Sequence, residues 1–166
     1  MKLLRPLVLL LLAVPQTALA LDALPKAEAQ ALCTRLEAAL RPPQTGEYRM
    51  LRHSDLLEQD QKSSGRIEVP SAGVIRLYQT APVAKESVLD AAQSRFPVPE
   101  RLLDEKAFRI ECFDEGGNFL LVLTPLRRDL SRVLSSVELR TAGYGDQLKK
   151  IRLNSPDGGY TLLDIL

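Results

Sequence analysis

Short segments of alternating apolar and polar residues, each cut off within a few positions by Pro, Gly or Asp, set the terms for this chain. Residues 66–69 (Arg-Ile-Glu-Val), 75–79 (Ile-Arg-Leu-Tyr-Gln), 108–113 (Phe-Arg-Ile-Glu-Cys-Phe) and 137–140 (Val-Glu-Leu-Arg) all carry the pattern. A period of two sends successive side chains to opposite faces, which is strand geometry. The chain holds 9 Gly and 11 Pro in 166 residues, and most fall between these segments, so the connections are short. Strands joined by short connections lie side by side and run antiparallel. A long meander of this kind must curl, or be covered by helices, to hide its apolar face.

One segment ahead of the strands is helical. Ala29, Leu32, Leu36 and Leu40 recur at helical spacing, with Lys26, Glu28, Arg35 and Glu37 elsewhere; Asp22 is placed to cap the helix, Pro25 falls in its first turn, and Pro42-Pro43 stops it. Strands are expected at 47–51, 66–69 and 73–79, with a turn over 60–65. Residues 85–96 have helical character through Val88, Ala91 and Ala92, and end at Pro97 and Pro99. Strand 106–113 and a hairpin turn over 114–118 follow. Residues 119–124 (Phe-Leu-Leu-Val-Leu-Thr) are almost continuously apolar, as a strand buried on both faces would be. A short helical segment near 128–132 and strands at 134–140, 147–153 and 159–165 complete the pass, with turns at 143–146 and 154–158. The expected class is α+β: about eight antiparallel strands with helices against the sheet.

The first twenty residues read as an export signal. Lys2 and Arg5 precede an apolar stretch over 7–14, and Ala18-Leu19-Ala20 supplies the small-x-small pattern of a signal-peptidase site. The stretch is shorter than the roughly 20 apolar residues that span a bilayer. Residues 21–166 then form one domain, soluble in the periplasm, and the residue after the cut is Leu21, so no lipid-modified cysteine is expected there. The chain has 22 basic and 21 acidic residues, and the signal removes two basic ones, so the mature charge lies close to zero. No basic excess points to nucleic acid.

The chemistry of catalysis is not legible. His53 is the sole histidine, and its neighbours Ser54 and Asp55 are adjacent in sequence, which does not assemble a triad whose members must converge in space. One His and two distant Cys make no zinc set. No nucleophile elbow, Cys-x-x-Cys, phosphate loop or dinucleotide fingerprint occurs. The expectation is a protein with no catalytic residues, no cofactor and no metal. Cys33 and Cys112 leave two readings open: a disulfide holding the first helix to the sheet, or two unpaired cysteines acting as small apolar residues.

The order of segments resembles the LolA-like family of periplasmic lipoprotein carriers. The resemblance runs through Leu51-Arg52-His53, then Ser63-Ser64-Gly65-Arg66-Ile67-Glu68-Val69 and Val74 to Pro82, then Phe119 to Pro125, Val137-Glu138-Leu139, Ile151-Arg152-Leu153 and Pro156-Asp157-Gly158-Gly159-Tyr160-Thr161. It implies a strongly curved antiparallel sheet, an open half-barrel, with helices covering its concave face. It also implies a function: shielding the acyl chains of lipoproteins in transit from the inner to the outer membrane, loaded by an inner-membrane ABC transporter and unloaded to an outer-membrane receptor, as a monomer. Four features depart from the family pattern. Ser71-Ala72 replace an Arg-Pro pair, the chain has no Trp and four Phe, the 82–106 stretch is compact and lacks a hairpin, and no extra segment follows Leu166. An accessory module that grips another protein in an envelope biosynthesis system is the alternative.

Period-two alternation selects the residues that would line such a hollow: Ile67 and Val69, Ile75 and Leu77, Phe108 and Ile110, Leu121 and Leu123, Val137 and Leu139, with Leu36 and Leu40 of the first helix above them. The same residues could equally close into an ordinary core.

Overall fold

The computed structural model of the chain describes residues 21–71, 74–90 and 103–166. A two-residue strand β1 (Asp22–Ala23) leads into helix α1 (Lys26–Ala39), followed by β2 (Gln44–His53), β3 (Gln61–Ser71), β4 (Val74–Ala81) and β5 (Lys85–Asp90). Then come β6 (Phe108–Asp114), β7 (Phe119–Pro125), the one-turn helix α2 (Arg128–Ser131), β8 (Ser136–Ala142), a 3₁₀ turn at Gly143–Gly145, β9 (Gln147–Asn154) and β10 (Tyr160–Ile165). Every described strand pairing is antiparallel, and the order across the sheet is β1-β6-β7-β8-β9-β10-β2-β3-β4-β5. β1 and β5 stand at opposite edges, so the sheet is open and not a closed barrel.

The two faces differ in kind. Register carries one row across the sheet from Cys112 to Leu121, Leu139, Ile151, Leu163 and Met50. The opposite face carries Glu111, Glu138, Arg140, Lys150, Arg152, Asp164, Arg66 and Glu68. Ion pairs tie it together: Lys150 to Asp164 at 3.2 Å, Arg140 to Glu138 at 3.5 Å and Arg66 to Glu68 at 3.1 Å. Exposed pairs of this kind contribute little stability each; their presence marks the solvated side, and the apolar rows mark the concave one.

Bulges supply local bending. Register shifts interrupt β3–β4 between Ser64 and Gly65 and again between Glu68 and Ser71, and β8–β9 between Arg140 and Thr141. Gly65 makes the first shift sterically feasible, since a Cβ there would collide with the backbone oxygen of Tyr78.

Helix α1 is built of helix formers, with Ala at 27, 29, 31, 38 and 39. Pro25 stands at its N-cap with φ −55°. Leu32 and Leu36, one turn apart, are both fully buried against the sheet, with Ala29, Cys33 and Leu40 beside them. The backbone N–H of Leu24 donates to the Cys112 oxygen at 2.8 Å, fixing where the helix enters. At the other end of its contact, a Cβ on Gly145 would run into the Leu32 side chain.

Several expectations from sequence need correction. There are ten described strands, not about eight. Lys85–Asp90 is the edge strand β5 and not the start of a helix, because its backbone pairs with β4 along its whole length; residues 91–96, with Pro97 and Pro99, lie outside the described residues. Asp22 does not cap α1 but pairs with Asp114 in β1. Residues 61–65 are not a turn: β3 begins at Gln61, β2 runs on to His53, and the turn sits at residues 54–60. Local Ser and Gly content suggested a break there, and long-range pairing overrode it. The predicted export signal and its Ala18-Leu19-Ala20 site, and Ala72, also lie outside the described residues. No described helix is long and apolar enough to cross a membrane.

Candidate binding site: the concave face

All ten strand residues selected by alternation fall on the concave face, as the pairings Ile67–Leu77, Ile110–Leu123, Leu121–Leu139 and Leu123–Val137 show. The structure divides them into two groups. Phe108, Leu121, Leu123, Val137 and Leu139 of β6–β8, together with Leu36, belong to a close-packed cluster that also contains Leu32, Leu103, Ala107, Cys112 and Leu130; Leu40, Ile110 and Cys33 pack against it. Leu121, Leu123 and Leu139 have no accessible surface at all. In this half, α1 and the sheet interdigitate side chain against side chain.

Ile67, Val69, Ile75 and Leu77 lie in the other half, on β3 and β4, and all four are only half-buried. The same face also carries Met50 on β2 and Leu163 and Ile165 on β10, all half-buried, and Leu153 on β9, which is 36% exposed. These apolar side chains stand among small or polar ones on the same face: Gly46, Ser63, Gly65 and Thr161. One large residue anchors the middle. Tyr48 is 2% exposed and sits directly across from Gly65 and Ile165. Sequence reading placed residues 47–51 in a strand but did not single out Tyr48; alternation with Met50 opposite a glycine was the available signal.

Two clefts adjoin these regions. One of about 280 Å³ opens beside α1 between Leu24, Glu28, Ala31, Leu32, Arg35 and Phe119. The other, about 480 Å³, lies where β2 meets the start of β3 and is lined mainly by outer-face residues such as Arg49, Leu51, Lys62, Ser64 and Asp164, with Pro82 also in its lining.

Around His53 the geometry is structural. The imidazole Nδ1–H donates to Asp60 Oδ1 at 2.7 Å and Nε2 lies 3.4 Å from Asp55 Oδ1. The ring stacks on Tyr160 at 4.9 Å, and the Arg152 guanidinium covers the same Tyr160 ring at 4.2 Å. The hydrogen bond to Asp60 holds the imidazole above its ordinary value. The Leu56 N–H donates to the Ser54 hydroxyl oxygen at 3.3 Å, within the β2–β3 turn. Among the described residues, no group of three or more His, Cys, Asp or Glu could hold a metal ion.

No sequence-family model and no curated protein matches the chain. Among solved structures, the chain is similar to a LolA superfamily protein, NE2245 from Nitrosomonas europaea, at 11% identity and a TM-score of 0.41, over 83% of this chain and 91% of that one. It is also similar to MucB at 19% identity and a TM-score of 0.47, over 84% of this chain and 57% of MucB. The complex of MucA and MucB from Pseudomonas aeruginosa matches at 16% identity and a TM-score of 0.44, over 83% of this chain and 55% of that one. The chain therefore spans little more than half the length of MucB, whereas it spans most of NE2245.

Proposed function

We propose that this protein is a non-catalytic carrier of the cell envelope, exported to the periplasm, whose concave face on β10, β2, β3 and β4 takes up the acyl chains of a lipoprotein or a related lipidated cargo. One observation carries the reading: Met50, Ile67, Val69, Ile75, Leu77 and Leu163 form a half-buried apolar row interrupted by Gly46, Ser63 and Gly65, while the equivalent rows under α1 are sealed. An acyl chain laid along that row gains about 0.8 kcal/mol per buried methylene and needs no charged or nucleophilic group. Transfer from an inner-membrane donor to an outer-membrane acceptor asks only that the row be reachable from one side. Half of the hollow is already filled by α1, so the cargo site is one face of a sheet and not a deep cavity. That openness gives the second reading its footing, in which an apolar segment of a partner protein occupies the same row and the chain works as an accessory module.

The test is a fluorescent fatty acid titrated into the purified chain of residues 21–166. Saturable binding is expected, weakened about tenfold or more by Leu77→Glu, which places a charge in the row at a position open enough for the fold to survive. Lys149→Glu, on an exposed position of β9, should leave binding unchanged. A wild-type protein that binds no probe contradicts the acyl reading, and a folded Leu77→Glu protein that binds as well as wild type contradicts this location.

A further inference from the structure

The two cysteines of this chain lie 79 positions apart, and the fold brings them face to face. Cys112 projects from β6 into the concave core and is 4% exposed, while Cys33 on α1 packs against that same core and is half-buried. Both are free thiols, close enough to share a hydrogen bond. The segment between them contains every residue of β2, β3, β4 and β5, which is the open half of the sheet apart from β10. The entry to α1 is held at β6, where the Leu24 N–H donates to the Cys112 oxygen at 2.8 Å.

We propose that Cys33 and Cys112 form a redox-controlled disulfide that clamps α1 onto β6 and closes a covalent loop that contains β2 to β5. The chemistry is a thiol–disulfide exchange with an external disulfide, either a protein disulfide donor or a small-molecule one. The Cys33 thiolate attacks one donor sulfur, and the donor's other sulfur leaves as a thiolate. Cys112 then loses its proton, attacks the Cys33 sulfur and expels the second donor thiolate. Two protein thiols are oxidised by two electrons, the donor disulfide is reduced to two thiols, and the two protons released by the protein end on those thiols. The order of attack follows the environment. The hydrogen bond from Cys112 holds the Cys33 thiol below its ordinary value, against burial and the carboxylates of Glu105 and Glu37, whereas that same bond and burial push Cys112 up. The less buried thiol is also the one an external donor can reach.

The inference is independent of what the concave face binds, because its readout is the protein's own thiols. The purified chain of residues 21–166 is incubated with oxidised glutathione, denatured, and alkylated. Complete protection of both cysteines, a mass lower by two hydrogen atoms in the monomer, and a thermal midpoint that falls by roughly 5–15 °C on adding reductant are expected. Two alkylated cysteines after oxidation, or protection found only in covalent dimers, would overturn the proposal. The order of attack has its own arm. Cys112→Ala should accumulate a glutathione adduct on Cys33 at least about tenfold faster than Cys33→Ala accumulates one on Cys112, because Cys33 is the more exposed thiol even when the bond between them is gone, with circular dichroism confirming that both variants are folded. The reverse ranking would overturn the assigned nucleophile. Hydrogen exchange on α1 supplies a separate readout: slower exchange in the oxidised form supports the clamp, and equal exchange in both forms contradicts it.

Discussion

The two halves of the concave face are written in the same alternating code and do different things. On β6, β7 and β8 the inward positions include Phe108, Ile110, Cys112, Leu121, Leu123, Val137 and Leu139, with Thr141 the one buried polar residue described, and a helix bearing Leu32 and Leu36 closes over them until Leu121, Leu123 and Leu139 have no exposed surface. On β10, β2, β3 and β4 the inward positions mix Leu163, Met50, Ile67 and Leu77 with Thr161, Gly46, Ser63 and Gly65, and the apolar ones remain half-buried. The difference lies in side-chain volume and in what packs above. Large residues facing a helix interdigitate to crystal-like density. Large residues separated by glycine, serine and threonine leave steps in the surface that another apolar chain can occupy.

The sharpest way to break this contrast is a buried charge. Leu121→Glu should abolish cooperative folding, since an unpaired carboxylate in a sealed core costs several kcal/mol; Leu77→Glu should retain the wild-type far-ultraviolet spectrum and a cooperative thermal transition. Equal behaviour of the two variants would erase the distinction between the halves. Next in size is the removal of methylenes. Leu36→Ala should cost about 2–5 kcal/mol in denaturant unfolding, against about 1 kcal/mol for Leu77→Ala, which gives up only partial burial. Gly65→Ala probes the bend itself. Its new Cβ meets the Tyr78 backbone oxygen, which cannot swing aside like a side-chain tip, so a loss of roughly 1–3 kcal/mol is expected. Gly116→Ala has open space around it and a φ of +76°, so only the backbone penalty of about 1 kcal/mol applies.

The smallest effect concerns the rim of the open half, at the β2–β3 turn. Asp60 holds His53 above its ordinary value of 6.5. A folded-state value raised above the unfolded one adds stability that is fully present below pH 6.5 and is lost as pH rises through the folded-state value. Asp60→Asn should bring the His53 titration, followed by NMR, down toward the ordinary value and flatten that slope of stability against pH. An unchanged titration would mean that Asp55 or the Tyr160 ring dominates.

Much of this was legible in sequence because period two depends only on local chain geometry. Ile67, Leu77, Ile110, Leu121 and Leu139 were assigned to one face correctly, since a one-residue slip would have exposed every one of them. The helix stripe of Leu32 and Leu36 was legible for the same local reason. Residues 85–90 were not, because Lys-Glu-Ser-Val-Leu-Asp has no strong preference and β4 decides its state by pairing with it. Nor were residues 61–65, where two serines and a glycine looked like a turn; only the approach of Tyr78 shows why the glycine is needed there.

By itself the sequence determined the class of the fold and the apolar face of the strands it recognised, both of which follow from residue order within a few positions. Tertiary structure alone decided which half of that face α1 seals, that Tyr48 sits opposite Gly65, and that Cys33 meets Cys112. Those outcomes depend on which strands become neighbours across the sheet, and that is settled by contacts between residues far apart in the chain, where local pattern carries no information.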